Sequence, residues 1–110
     1  MVGFRTATVT QVGPQEAQRL QEQGALVVDV REPFEFAAGH IPGAILVPLG
    51  ELERRATGLD KSRTIVAVCA SGNRSGAASQ FLAQQGFDVV NLQGGMYGWA
   101  HAGLPTKRGS

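Results

Sequence analysis

Thr64-Ile65-Val66-Ala67-Val68-Cys69-Ala70-Ser71-Gly72-Asn73-Arg74-Ser75 is the stretch that decides the fold. Its first five residues, apolar after Thr64, are largely β-branched, the pattern of a strand buried on both faces. The next few are small, around a glycine able to take positive φ, which predicts a turn from Cys69 to Asn73. From Arg74 to Gln85, residues Ala77, Ala78, Phe81 and Leu82 recur at helical spacing, so a helix follows with those four as its buried stripe. Strand, tight turn and helix in that order form the repeating unit of a parallel α/β sheet. Cys69, the single cysteine of the chain, stands at the strand's carboxyl end, where open α/β sheets gather their ligands.

The rest of the chain repeats the alternation. Upstream, a helix runs from Pro14 to Gln23 with Ala17 and Leu20 on one face and Gly24 as its stop. Ala25 to Val30 is a continuously apolar run broken only by Asp29, again a buried strand. A turn-rich stretch from Arg31 to Gly43 contains a short helical piece ending at Ala38. Ala44 to Val47 reads as a strand and Leu49 to Ala56 as a charged helix stopped by Gly58. Downstream, Gly86 ends the long helix, Val89 to Leu92 forms another strand, and Gly94-Gly95 leads into a short helix around Met96 to His101. The small, polar tail from Pro105 to Ser110 is expected to be disordered, which leaves a single domain with its core at about residues 6–105.

Composition removes several function classes. At 110 residues, 43% hydrophobic and 17% charged, the chain suits one globular domain. A net charge of +1 with scattered basic residues argues against nucleic acid. No apolar run reaches membrane-spanning length. One cysteine permits no internal disulfide or Cys-x-x-Cys relay. One Cys with His40 and His101 makes no zinc ligand set, so no metal or cofactor is expected. A free thiol, and an N-terminus without the apolar core of a signal peptide, point to a reducing cytoplasm.

What remains is the thiol. A cysteine facing a helix N-terminus meets unpaired backbone N–H groups and the positive end of the helix dipole, and both favour the thiolate. Its pKa is expected below the ~8.5 of a free thiol. The loop Ala70-Ser71-Gly72-Asn73 can turn successive amides inward as an anion nest. Arg74 supplies a guanidinium fork suited to oxyanions, and Ser75 a hydroxyl donor.

Three segments make the chain resemble the rhodanese family of sulfurtransferases. They are Val28-Asp29-Val30-Arg31-Glu32-Pro33-Phe34-Glu35-Phe36 with Gly39-His40-Ile41-Pro42-Gly43-Ala44, then Cys69 to Ser75, then Leu92-Gln93-Gly94-Gly95-Met96-Tyr97-Gly98-Trp99 with Gly103-Leu104-Pro105. The resemblance implies a rhodanese-like three-layer fold, with a five-stranded, mainly parallel sheet flanked by helices. It also implies that Cys69 is the nucleophile that accepts sulfane sulfur as a persulfide, and that the amides of Ala70, Ser71, Gly72, Asn73, Arg74 and Ser75 hold the outer sulfur. A donor such as thiosulfate and an acceptor such as cyanide or a thiol would be the small-molecule partners. A sulfur-carrier or desulfurase protein is a further candidate.

Loop length separates sulfur from phosphate chemistry on this fold. Four residues lie between Cys69 and Arg74, as in the sulfurtransferase pattern, whereas the related dual-specificity phosphatases have one more. Ala70 departs from the basic residue often found there in thiosulfate-using relatives, which weakens thiosulfate as the donor. Two other functions stay open: a persulfide carrier or sulfur-responsive module with negligible turnover, and, disfavoured by loop length, a phosphatase or arsenate reductase. Asp29 and Arg31 are candidates for pocket support, but an Asp29–Arg31 or Arg31–Glu35 ion pair holding the loop is the simpler expectation. His40 is expected to be a hydrogen-bonded structural histidine, Gly94 and Gly95 a tight turn, Trp99 core or pocket rim, and His101 surface.

Overall fold

The computed structural model describes residues 9–110. Five parallel strands lie in the spatial order β1-β5-β4-β2-β3: β1 (Thr10–Val12), β2 (Leu26–Asp29), β3 (Ile45–Leu46), β4 (Ile65–Val68) and β5 (Val89–Leu92). The helices are α1 (Pro14–Glu22), α2 (Pro33–Ala38), α3 (Leu49–Arg55), α4 (Asn73–Gln84) and α5 (Gly95–His101), and a 3-10 turn at Ala56–Gly58 extends α3.

The pleat of β4 sorts the core into two layers. Ile65, Ala67 and Cys69 face one side with Val28, Val30, Leu52, Ala78 and Leu82, under α3 and α4. Val66 and Val68 face the other with Val27, Ala17, Ile41, Met96 and Trp99, under α1 and α5. All four residues of β4 are buried, as its unbroken apolar run demands. At about 1.5–3 kcal/mol for each large apolar side chain removed from water, this strand is the energetic centre of the domain.

The sheet has one strand more than the apolar runs alone suggest. β1 is a three-residue edge strand whose Thr10 and Gln11 are exposed, so it carries no buried alternation to betray it. It pairs with β5, placing Gln11 opposite Asn91. Residues 6–8 of the expected core lie outside the described residues.

Two further expectations need correction. The buried stripe of α4 is Ser75, Ala78, Ser79 and Leu82, with Phe81 half-buried and Ala77 exposed. The helix is thus rotated so that two serines face the sheet, and Ser75 comes to lie beside β4. The tail from Pro105 to Ser110 is also not loose. Trp99 Nε1 donates to Pro105 O at 2.8 Å, and His40 and Lys107 exchange backbone hydrogen bonds of 2.9 and 2.8 Å in an antiparallel bridge. Gly109 N donates to Ala37 O at 2.9 Å. Pairing of its backbone, which composition does not encode, secures the tail.

Candidate active site

Cys69 leaves β4 on the same face as Ile65 and Ala67, and the chain reaches α4 in four residues. That reversal requires the left-handed conformation, which Gly72 supplies at φ 105°; no non-glycine residue among those described has positive φ. The turn brings the Gly72 amide back to the sulfur, N–Sγ 3.0 Å, and the first turn of α4 sets the Ser75 hydroxyl 3.3 Å from it.

A second helix holds the loop from outside. Met96 N donates to Cys69 O at 2.8 Å and Tyr97 N to Ala70 O at 3.1 Å, so the first turn of α5 takes up the carbonyls at the start of the loop. The approach is so close that a Cβ on Gly95, itself at φ 55°, would lie 2.3 Å from Cys69 O and 2.6 Å from Ala70 C. Gly95 is therefore more than a turn residue: only glycine allows α5 to clamp the end of β4.

The electrostatics of the sulfur follow. Burial pushes the thiol up, but hydrogen bonds from the Ser75 hydroxyl and the amides of Ser75, Gly72 and Ser71 pull it down. The hydrogen bonds prevail, and the thiol lies below its ordinary value. Cys69 is fully buried, so these donors act in a dry setting where they are strongest.

Arg74 is not the free oxyanion fork that the sequence suggests. Its two terminal nitrogens bind the two carboxylate oxygens of Glu35 at 2.7 and 2.8 Å. Glu35 also accepts from the Glu32 amide at 2.9 Å, closing a capping box at the start of α2. Arg74 thus straps the start of α4 to the start of α2, and only its backbone remains part of the loop. Arg31 in turn pairs with Asp29 rather than Glu35: Nε and Nη2 meet the carboxylate at 2.9 and 2.8 Å, and Nη2 reaches Gly39 O at 2.8 Å. Both residues are buried, and neither hydrogen-bonds Cys69 or its loop. They brace the segment between β2 and α2.

His40 is buried, with Nδ1 2.8 Å from Phe36 O and its ring stacked on Phe36 at 3.6 Å; it makes no hydrogen bond to the sulfur or its loop. Trp99 is core, and His101 is exposed. Sequence reasoning missed Asn91. It is buried, accepts from Ser75 Oγ at 2.5 Å, and donates to Gly72 O at 3.2 Å and Gln11 Oε1 at 2.8 Å. The one available signal was a carboxamide inside the apolar run of β5.

Among the described residues, no group of three or more His, Cys, Asp or Glu side chains is placed to hold a metal ion. No helix there is long and apolar enough to cross a membrane. A strand-end cysteine, a glycine loop and a serine at the first helical turn invite comparison with known proteins. A family model described as a rhodanese-like domain matches residues 13–102. The chain belongs to the rhodanese-like family.

Relatives in that family agree in sequence and in shape. The uncharacterized protein slr1261 of Synechocystis is 41% identical over 105 residues; the match covers 94% of this chain but 59% of that protein, which is considerably longer. Thiosulfate sulfurtransferase GlpE of Pseudomonas fluorescens is 44% identical over 89 residues, covering 80% of this chain and 82% of the enzyme. The crystal structure of a rhodanese-related protein from Thermoplasma volcanium superposes with a TM-score of 0.85 at 34% identity, over 89% of this chain and 97% of the other. The rhodanese-like fold expected from the three sequence segments is therefore the fold observed, and sulfurtransferases are its similar relatives.

Proposed function

We propose that this rhodanese-like protein transfers sulfane sulfur through a persulfide on Cys69. The observation that carries this reading is the convergence of the Gly72 amide and the Ser75 hydroxyl on Cys69 Sγ at the end of β4. Those donors favour a sulfur anion in place, with no base required to generate it. In the first half-reaction the Cys69 thiolate attacks the outer sulfur of a donor. With thiosulfate, the new S–S bond forms as the S–S bond of the donor breaks, and sulfite leaves with the electron pair. The product is a Cys69 persulfide anion, its charge on the outer sulfur. In the second half-reaction an acceptor such as cyanide or a thiolate attacks that sulfur, and the Cys69 thiolate departs. Two covalent half-reactions give ping-pong kinetics.

Sulfur is favoured over phosphorus as the transferred group by the four-residue span from Cys69 to Arg74 and by burial of the thiol. A compact loop over a covered sulfur suits one added atom better than a phosphoryl group with three oxygens. Arg74 also has its guanidinium committed to Glu35, away from any equatorial oxygens.

That commitment favours a second reading of the donor. Neither Arg31 nor Arg74 offers a free guanidinium, and Ala70 is neutral. A doubly charged donor such as thiosulfate gains little attraction here, which favours sulfur delivered by a protein persulfide, such as a desulfurase or carrier. Thiocyanate formation from thiosulfate and cyanide tests the enzymatic reading; Cys69→Ser is expected to abolish it. Retention of activity in that variant would refute the assignment, and rapid hydrolysis of an aryl phosphate by the native chain would revive the phosphatase.

A further inference from the structure

The Ser75 hydroxyl has one proton and two neighbours that want it. Asn91 Oδ1 lies 2.5 Å from Ser75 Oγ and Cys69 Sγ lies 3.3 Å from it. The orientation of the Asn91 carboxamide is fixed by its other contacts. Gly72 O is a carbonyl and can only accept, so the group 3.2 Å from it is Nδ2, which also donates to Gln11 Oε1 at 2.8 Å. Oδ1 then faces Ser75 and can only accept. A hydroxyl cannot donate its single proton to both atoms at once.

We propose that Asn91 is a positioning residue that competes with the Cys69 sulfur for the Ser75 proton, so that the hydroxyl turns according to the state of the sulfur. With a neutral thiol, Ser75 donates to Asn91 and presents a lone pair to the S–H. With a bare thiolate, Ser75 turns to donate to Sγ, and Asn91 Oδ1, buried, is left without a donor, which is costly. On the persulfide reading of the site, loading moves the charge to the outer sulfur. Sγ becomes a neutral bridging atom, and the Ser75 proton returns to Asn91. Asn91 therefore restrains the bare thiolate relative to the loaded state and tilts the cycle toward holding sulfur.

The surrounding charges do not supply this effect. Arg74 at the start of α4 is paired with Glu35 of α2, and Asp29 with Arg31 after β2. None of these four hydrogen-bonds to Ser75 or Asn91. From α5 the sulfur's residue receives only the Met96 amide, on its carbonyl, and the ionisable side chain of that helix other than Tyr97, His101, sits in its last turn. β5 carries no charged residue.

The test is a double-mutant cycle read by the pH dependence of Cys69 alkylation with iodoacetamide, which needs no sulfur donor and so stands apart from the transfer reading. Ser75→Ala is expected to raise the alkylation midpoint by about half to one pH unit, the size of one lost hydrogen bond. Asn91→Ala is expected to lower it by about the same amount, since the hydroxyl is then free to serve the thiolate. In the Ser75→Ala background, Asn91→Ala is expected to move nothing. Should Asn91→Ala fail to fold by circular dichroism, Asn91→Val, which suits a strand and offers Ser75 no acceptor, carries the same expectation. An unchanged or raised midpoint in the Asn91 variant, or an equal shift with and without Ser75, would overturn the proposal. Failure of the native chain to accept sulfur, with the cycle behaving as stated, would refute the persulfide reading alone.

Discussion

The guanidinium of Arg74 and the carboxylate of Glu35 form a two-pronged ion pair, 2.7 and 2.8 Å, across thirty-nine residues of chain. It ties the helix that follows the Cys69 loop to the helix that follows β2. The pair is partly exposed, with 38% of the Arg74 and 21% of the Glu35 side chain accessible, and its worth is modest beside that of a buried pair. Glu35→Gln is expected to cost about 1 kcal/mol, or several degrees in Tm for a domain this size. Its larger effect should be on turnover, since α2 is no longer fastened to the loop. Thermal melts and thiocyanate assays on the same samples separate the two effects.

The same pair sets a pH dependence. The hydrogen bond from Arg74, opposed by burial and aided by the Glu32 amide, lowers the Glu35 carboxyl from 4.5 to about 2. Its folded value lies below its unfolded one, so its contribution to stability is complete above about 4.5 and is lost as pH falls toward about 2. The stability difference between the native chain and Glu35→Gln is therefore expected to shrink across that interval. Urea titrations at several acidic pH values measure it.

Asp29 and Arg31 form the buried counterpart, with 1% and 7% of their side chains exposed. Removing either leaves an uncompensated buried charge and the Gly39 carbonyl or the Arg31 amide unsatisfied. Arg31→Ala is expected to destabilise by about 3–5 kcal/mol, enough to leave much of the chain unfolded at moderate temperature. Equilibrium denaturation measures this; a loss below 1 kcal/mol would contradict the bracing role.

Gly95→Ala is the sharpest packing test. The added Cβ would sit 2.3 Å from Cys69 O, against backbone that has nowhere to go, at a φ of 55° that alanine adopts at a cost. Loss of about 2–4 kcal/mol is expected. Because the strain lands on the loop itself, sulfur transfer should fall by more than tenfold even in the folded fraction. Comparing kcat per folded molecule with the same figure for Gly13→Ala, where nothing lies within 4 Å of an added Cβ, isolates the effect.

Much of this architecture was legible in the sequence because it rests on local pattern. The apolar runs of β2, β4 and β5, the glycine stops and the Cys69 loop announce themselves within a few residues. What escaped was long-range. The partner of Arg74 lies in another helix, and nothing within the loop shows that its fork is occupied. Gln11 and Asn91 meet only because an exposed three-residue edge strand pairs with β5, and such a strand has no buried face to leave a trace. The pairing of the tail leaves no trace in composition for the same reason: a backbone bridge such as that between His40 and Lys107 is indifferent to side-chain polarity. The rotation of α4, which turns Ser75 toward the sulfur, puts Ser75 and Ser79 in the buried stripe where the hydrophobic pattern predicts Ala77 and Phe81.

The central claim is that Cys69 carries the transferred sulfur. Intact-mass spectrometry of the chain after incubation with thiosulfate, 3-mercaptopyruvate or a cysteine-desulfurase system tests it most directly. The expected result is a gain of one sulfur atom on the native chain, greater with the desulfurase than with thiosulfate, reversed by cyanide and absent in Cys69→Ser. No gain from any of the three donors, or the same gain in Cys69→Ser, would contradict it.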